Sequence, residues 1–358
     1  NVLTVASTCH GVGALHQRLS ALGLDPVVLG TPDGGLVPES AFLPHRMKIH
    51  PRGRLQAQCE QELRNLEGQV AQHGRGWMVG ALQERMQQLR ADIEVMQVEG
   101  PGDVVADARV ACATPLTAGA QLLRDVPFAL VVVDQAAGLT EVETLIPLLK
   151  ASMQVVLLTD PTWTPPIGST AAEAAGLGKS LYQRLAAAGV EPLVLDTQYR
   201  QHPALSAFPA AQLYAGKLQD AEDCTDLVCP QGALPTDGPV GLIHVDGFED
   251  LNGLSAFNFL EAGLVAALAK HLTAHEVLGV DIGVFTPYSA QAKCLRMHMN
   301  RAGVEGVTIH AGDEISEVEK DIVIVSVVRT GPAENSAFAG GAQWLRTALT
   351  RPRKGLLV

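Results

Sequence analysis

Aromatic residues are scarce: three Trp, four Tyr and eight Phe amount to 4% of the 358 residues. That supply is too thin for an extended surface that stacks sugars or bases on aromatic rings. Charged residues reach only 18%, and the 47% apolar fraction is ample for buried cores, which argues against a disordered chain. No stretch approaches the roughly 20 unbroken apolar residues that span a bilayer. Residues 1–5 also lack the basic start and small-residue cleavage site of a secretion signal, so neither membrane insertion nor secretion is expected. The six cysteines, Cys9, Cys59, Cys112, Cys224, Cys229 and Cys294, include no Cys-x-x-Cys pair and no companion His cluster. Reduced thiols are therefore expected in place of disulfides or zinc. Basic residues are outnumbered, 26 against 38 acidic, and the net charge of −12 excludes a protein basic all over, although not a local basic channel. There is no repeat at fixed spacing and no low-complexity tract.

What is present is a rhythm of short Val, Ile and Leu runs between helix-like segments, at 2–6, 128–133, 155–158, 193–195, 282–285 and 322–328. Apolar on both faces, these runs suit buried parallel strands, and the length suits two α/β domains. Between about 55 and 96 the period becomes helical. Leu55, Cys59, Leu63, Leu66 and Val70 form one stripe and Leu82, Met86, Leu89, Ile93 and Met96 another, with Gly74-Arg75-Gly76 between them. The spacing predicts an antiparallel helical hairpin inserted into the first α/β unit, over about 46–98. The polar, Pro- and Gly-rich stretch 220–238 reads as an irregular surface connection in the second unit.

The run at 128–133 ends in Asp134-Gln135-Ala136-Ala137. A carboxylate at the carboxyl end of a buried parallel strand stands where open α/β sheets bind ligands and where nucleotide hydrolases hold Mg²⁺, although such an Asp can equally cap a helix. The next run ends in a second acid, Asp160. Further on come Gln198-Tyr199-Arg200-Gln201-His202-Pro203, Leu213-Tyr214-Ala215-Gly216-Lys217-Leu218 and Gly283-Val284-Phe285-Thr286-Pro287-Tyr288-Ser289-Ala290-Gln291. Glu319-Lys320-Asp321-Ile322-Val323-Ile324-Val325-Ser326 leads to Val328-Arg329-Thr330, and Ala348-Leu349-Thr350-Arg351-Pro352-Arg353 closes the series. In this order the strings resemble those of superfamily 1 helicases of the type that includes the nonsense-mediated-decay RNA helicase, senataxin and the helicase-with-zinc-finger proteins. The last of these branches is the expected affiliation, on general texture.

The resemblance implies two RecA-like, P-loop-NTPase-type domains with parallel sheets, at 1–185 and 186–358, with ATP between them and single-stranded RNA or DNA across their top. It implies that Asp134 holds Mg²⁺ with Asp160 in the same nucleotide site, that Tyr199 stacks on adenine, and that Arg200 and Arg351 reach the γ-phosphate. It further implies that Thr8 and Cys9, and Thr286, Pro287 and Tyr288, lie in loops that touch nucleic acid. Guanidinium forks suit a phosphoryl transition state, whose charge is spread over several oxygens.

Several positions depart from the family pattern. Gln135 stands where the family has the Glu that acts as general base, and an amide takes no proton from water; a contribution of roughly 10²–10⁴ in rate is expected to be lost. Trp163 replaces a polar γ-phosphate sensor, Ser7-Thr8-Cys9 replaces Pro-Ser-Asn, and Ser316-Glu317 brings a negative charge to a loop near phosphate. No Gly-x-x-x-x-Gly-Lys-Ser/Thr phosphate loop occurs: Gly178-Lys179-Ser180 has Glu173 at the first Gly position and reads as a helix N-terminus. Because Asn1 is no initiator Met and a strand begins at Val2, a fragment is expected, its phosphate loop lying upstream or lost.

Two rival readings fail on residue identity. Gly11-Val12-Gly13 lacks the third Gly of a dinucleotide fingerprint, where His16 stands, and Gly253-Leu254-Ser255-Ala256-Phe257 lacks the last Gly of a nucleophile elbow. The expected function is an ATP-dependent helicase core with weakened catalysis. The alternative is an inactive pseudo-helicase that acts as a nucleic-acid or protein scaffold. Partners in transcription or RNA decay, and a place in nucleus or cytoplasm, follow from the resemblance.

Overall fold

The structure is a computed structural model that describes residues 1–31, 37–73, 77–253, 255–329 and 341–358. Gly74, Arg75, Gly76, Leu254 and Thr330 lie outside the described residues. The chain divides into two compact units, Asn1–Pro192 and Leu193–Val358, seven residues beyond the expected division.

Unit 1 opens with β1 (Val2–Val5), α1 (Cys9–Ala21) and β2 (Val27–Val28). The helices α2 (Leu43–Ile49), α3 (Pro51–His73) and α4 (Trp77–Asp107) follow, then β3 (Val110–Ala113) and α5 (Pro115–Ala118). β4 (Phe128–Val133), α6 (Glu141–Leu148), β5 (Ala151–Leu157), α7 (Thr170–Ala174) and α8 (Leu181–Ala187) complete it. The five strands form one parallel sheet in the order β2-β3-β1-β4-β5. Leu3, Val5, Val131 and Val133 are fully buried in its core with Phe128, Val105 and Ala113, each large side chain contributing roughly 1.5–3 kcal/mol. Val5 pairs with both Ala113 and Val133, and Leu157 with Val133, so the residues after β1, β4 and β5 collect along one edge.

Two strand expectations are corrected. β5 is an edge strand with a single neighbour, and residues 152–155 are exposed, Met153 to 85%. A sequence run shows that a strand is apolar; its place at the sheet edge is set by partners elsewhere in the chain. Residues 193–195 form no strand and are exposed, Leu193 to 89%. Three apolar residues carry too few ladder bonds to form a strand without a neighbour, and no described strand pairs with them.

The helical insertion is present and longer than its periodicity suggested. Met86, Leu89, Ile93 and Met96 of α4 are buried, Cys59, Leu63, Leu66 and Val70 of α3 are half-buried, and Leu55 is exposed. Arg85–Glu62 (3.0 Å) and Arg90–Glu67 (2.9 Å) tie the two helices together. Gly100-Pro101-Gly102 marks a helix end in sequence, yet α4 runs on to Asp107. Burial of Val104 and Val105 in the sheet core offsets the backbone bond that Pro101 cannot donate. Gly11 and Gly13 sit inside α1 as buried helix residues. Ser180 caps α8 in a reciprocal box with Gln183, so Gly178-Lys179-Ser180 is a helix start.

Unit 2 begins with β6 (Thr197–Gln198), α9 (Pro203–Leu213), β7 (Gln219–Asp220) and β8 (Val240–Gly241). β9 (Glu249–Asn252), β10 (Ser255–Asn258), α10 (Phe259–Ala274), β11 (Ile282–Thr286) and α11 (Ser289–Ala302) come next. It ends with β12 (Thr308–Ala311), β13 (Lys320–Val325), α12 (Gly341–Leu349) and β14 (Pro352–Leu357). A second parallel sheet runs β12-β11-β13-β14-β8. Along β13 the strand period of two separates the faces. Ile322 and Ile324 pack with Val265, Ala269 and Leu295 of α10 and α11, whereas Val323 and Val325 pack with Leu205 of α9 and Trp344 and Ala348 of α12. Beyond Asp220, the last residue of β7, the stretch to 238 holds one 3₁₀ turn, Glu222–Asp226, and is otherwise irregular. Among the described residues no helix is long and apolar enough to cross a membrane.

Candidate functional site

In unit 1 the sheet edge gathers Ser7, Thr8, Asp134, Gln135, Thr159 and Asp160. The ladder continues past the strand ends: Asp134 N donates to Val5 O (2.8 Å) and Ala136 N to Leu158 O (2.9 Å). Asp134 Oδ1 accepts from the Gln135 backbone N–H at 3.0 Å. Gln135 is held at φ 55°, a left-handed conformation that costs a non-glycine residue roughly 1 kcal/mol. Its side chain is tied to the neighbouring strand end, where Ser7 Oγ donates to Gln135 Oε1 at 2.9 Å. Thr8 is the N-cap of α1, accepting from Gly11 N at 3.0 Å, and Cys9 begins the helix with an exposed side chain. Asp160 Oδ1 accepts from Thr162 N (2.8 Å) and Thr162 Oγ1 (2.7 Å), which closes the loop after β5. The Trp163 ring lies against Gly138, where an added Cβ would stand 3.2 Å from Cε3.

In unit 2 a second group forms around Gln198. Its Oε1 accepts from Arg200 N and Gln201 N, both at 2.8 Å, and its Nε2 donates to Asp220 Oδ1 at 2.6 Å. The intervening Tyr199 is left 76% exposed. Arg200 donates from Nη2 to Glu319 Oε1 (2.6 Å) and from Nη1 to Thr350 O (3.2 Å). Arg351 is mostly buried, and its Nε has no hydrogen-bond partner among the described residues. Burial first, and then the charge of Arg200, bring its pKa down to about 10, against the pull of Glu317, Glu319 and Tyr214. Glu317, which in sequence only promised repulsion of phosphate, thus also favours the charge on Arg351.

The third group joins the loop after β11 to the loop after β13. Thr286 is fully buried and accepts from Tyr288 N at 3.4 Å, and Tyr288 is 4% exposed. Their side chains shape the loop from within; Pro287 is half-buried and Ser289 exposed. Arg329 Nε donates to Tyr288 Oη (3.2 Å) with its guanidinium 5.7 Å from the ring centroid, and Nη1 donates to Glu249 Oε1 (2.9 Å). Beneath them Asn258, Glu261, Gln291 and Ser326 form a buried network. Burial raises the Glu261 pKa above the usual carboxylate range, opposed by hydrogen bonds from Ser326 and the backbone at Val327 and Val328. Sequence reading missed Asn258, Glu261 and Glu249. The Asn-x-x-Glu spacing at 258–261 marks a helix start, and Asn258 Oδ1 does accept from Glu261 N at 3.1 Å. That signal does not disclose that the carboxylate turns to Val328.

Unit 1 thus carries acids at the carboxyl edge of a parallel sheet, and unit 2 carries Arg200 and Arg351 beside one another under a second parallel sheet. An AAA domain family matches residues 177–358, and a second AAA domain family matches residues 47–167. The chain belongs to this family, as a superfamily 1 helicase core. It is 30% identical over 278 residues to the ATP-dependent helicase upf1 of Schizosaccharomyces pombe, covering 74% of this chain and 30% of that protein. It is 32% identical over 266 residues to the Regulator of nonsense transcripts 1 homolog of Drosophila melanogaster, covering 70% of this chain and 22% of that protein. Against the ATP-dependent helicase NAM7 of Saccharomyces cerevisiae it is 32% identical over 270 residues, 72% of this chain and 28% of that protein. The chain thus spans less than a third of the length of each of these relatives.

The family implies ATP and Mg²⁺. Some of the residues present suit them, although residues 1–358 hold no phosphate loop: the buried Arg351 Nε suits an anionic oxygen, and Asp134 places a carboxylate at the carboxyl edge of a parallel sheet, where a divalent cation is held in nucleotide hydrolases.

Proposed function

We propose that this chain is the core of an ATP-dependent RNA or DNA helicase whose hydrolytic step is weakened. Gln135 carries the reading: the family resemblance assigns it the general-base position, and it lies at a left-handed φ of 55° with its amide oxygen bonded to Ser7. Bound Mg-ATP would supply the scissile phosphoanhydride. Asp134 would hold the metal with Asp160 nearby, Tyr199 would lie against adenine, and Arg200 and Arg351 would grip the γ-phosphate. Gln135 would orient the attacking water without taking its proton, which removes a factor of roughly 10²–10⁴ from the rate. Single-stranded nucleic acid would run along the loops of Thr8 and Cys9 and of Thr286, Pro287 and Tyr288, by backbone and sugar-phosphate contacts.

The reading needs a phosphate loop from sequence other than residues 1–358, because Gly178-Lys179-Ser180 is used as a helix start. Relatives named for nonsense transcripts favour RNA as the nucleic acid; a place in nucleus or cytoplasm and protein partners in RNA decay or transcription are part of the proposal on the family resemblance alone. Within the family we retain the helicase-with-zinc-finger branch. A second reading, a pseudo-helicase scaffold without turnover, is favoured by Trp163 against Gly138 and by the occupation of Arg200 by Glu319.

Binding of a fluorescent ATP analogue and of a labelled single-stranded RNA to the full-length protein tests the proposal. Binding of both, each lost on substitution of its own residues, supports the helicase reading. Failure of the nucleotide to bind at any accessible concentration leaves the scaffold.

A further inference from the structure

A buried carboxylate is an expensive way to hold a loop, and one is used at the base of the third group. Glu261 is 8% exposed, at the third position of α10. Its Oε1 accepts from Ser326 Oγ at 2.6 Å, and Oε1 and Oε2 share the Val328 N–H at 3.2 and 3.1 Å. Ser326 accepts in turn from Gln291 Nε2 at 2.9 Å, and Gln291 Oε1 accepts from Asn258 N at 2.9 Å. Each of these side chains is buried, so the network holds where an apolar core would have been cheaper.

What the network grips is strained. Val328 is fully buried with φ 67°, in the left-handed region, a conformation that for a β-branched residue persists only when surrounding contacts impose it. The carboxylate of Glu261 binds the N–H of that same residue. Arg329 N donates to Val327 O (2.7 Å) across this turn, and the Arg329 side chain reaches Tyr288 and Glu249.

We propose that Glu261 is a positioning residue: by imposing the turn at Val328 it sets Arg329 on Tyr288 and fastens the loop after β11 to the loop after β13, so that the two present one surface to single-stranded nucleic acid. The proposal rests on the nucleic-acid reading for its ligand and on the network alone for its geometry. The chain runs from Glu261 to Val328 N–H, through the turn to Arg329, and from Arg329 to Tyr288. Glu261 touches no nucleic acid in this account. Its substitution acts through Arg329 only, and that makes the two side chains one functional unit.

Two measurements on the full-length protein decide it. Anisotropy of a labelled single-stranded RNA of about 15 nucleotides is followed for wild type, E261Q, R329A and the double variant. E261Q and R329A each weaken binding about tenfold, as loss of a buried charge-assisted hydrogen bond does, and the double variant weakens it no further than the worse single one. Losses that multiply to about a hundredfold, or wild-type affinity in E261Q, overturn the proposal. Hydrogen exchange of peptides covering 286–288 and 326–329 provides the arm that needs no nucleic acid. E261Q speeds exchange in both peptides and R329A chiefly at 286–288. If E261Q loosens 326–329 alone, Glu261 is a local prop and the proposal fails, even where RNA binds. If wild type binds no RNA while E261Q loosens both peptides, the nucleic-acid reading has failed and the positioning role stands.

Discussion

Replacing Arg351 by methionine removes a charge that unit 2 holds at a cost. The guanidinium is mostly buried beside Arg200, its Nε has no partner among the described residues, and burial brings its pKa well below the usual arginine range, to about 10. That fall corresponds to about 3 kcal/mol of opposition to the charged form. It is an upper bound, because relaxation and water penetration lower the real penalty. Methionine keeps the unbranched packing of the stem, and the backbone bond from Lys320 N to Arg351 O (3.3 Å) is untouched. R351M is expected to stabilise unit 2 by about 1–2 kcal/mol, raising a urea midpoint by roughly 0.5–1 M at an m-value of about 2 kcal/mol/M. The folded pKa lies below the unfolded one, so the penalty is complete at neutral pH and lifts only as the pH climbs through about 10. Urea unfolding read by hydrogen exchange in peptides of 193–358 separates this unit from the other. A lower midpoint in R351M refutes the claim that the arginine is held against the fold's stability. The same variant is expected to lose nucleotide affinity, a combination that marks a residue kept for function.

Other substitutions probe separate links. Leu89 is 1% exposed in α4, and L89A is expected to cost about 2–5 kcal/mol of unit 1 stability by thermal melting; a neutral result contradicts the packed hairpin. Tyr199 is 76% exposed, so Y199A is expected to shift stability by less than about 0.5 kcal/mol while weakening an adenine nucleotide about fivefold, as loss of one stacking ring does. The Glu261 pKa is raised by burial above its unfolded value, so the stability it contributes is present below the usual carboxylate pKa and lost as pH rises through the raised one. The melting temperature of wild type is therefore expected to gain on that of E261Q as the pH is lowered from about 7 toward about 4, and a constant difference refutes the burial argument.

Local patterns gave the sequence reading its successes. Six apolar residues ending in an acid announced β4 and Asp134, spacings of three and four announced α3 and α4, and Gly178-Lys179-Ser180 was legible as the start of α8. Each of these is decided within a few neighbouring residues. The misses concern partners far away in the chain. Whether residues 155–158 are central or edge depends on which strands flank β5, and the run itself is the same in both cases. The bond between Ser7 and Gln135 joins residues 128 positions apart, and the one between Glu261 and Val328 joins residues 67 apart. The burial of Thr286 and Tyr288 follows from the same long-range packing. The motif order that carries the family resemblance marks where function concentrates, while the distances within each group come from tertiary structure alone.

Under the proposed function, Gln135 limits turnover of bound ATP. The most direct test is steady-state ATP hydrolysis by the full-length protein, with and without single-stranded RNA, for wild type and Q135E. Slow hydrolysis by wild type is expected, with an RNA-stimulated rise of about 10²-fold or more in Q135E and nucleotide affinity little changed. Wild-type hydrolysis at helicase-like rates, or a Q135E rate no higher than wild type in a protein that binds ATP, would contradict the proposal.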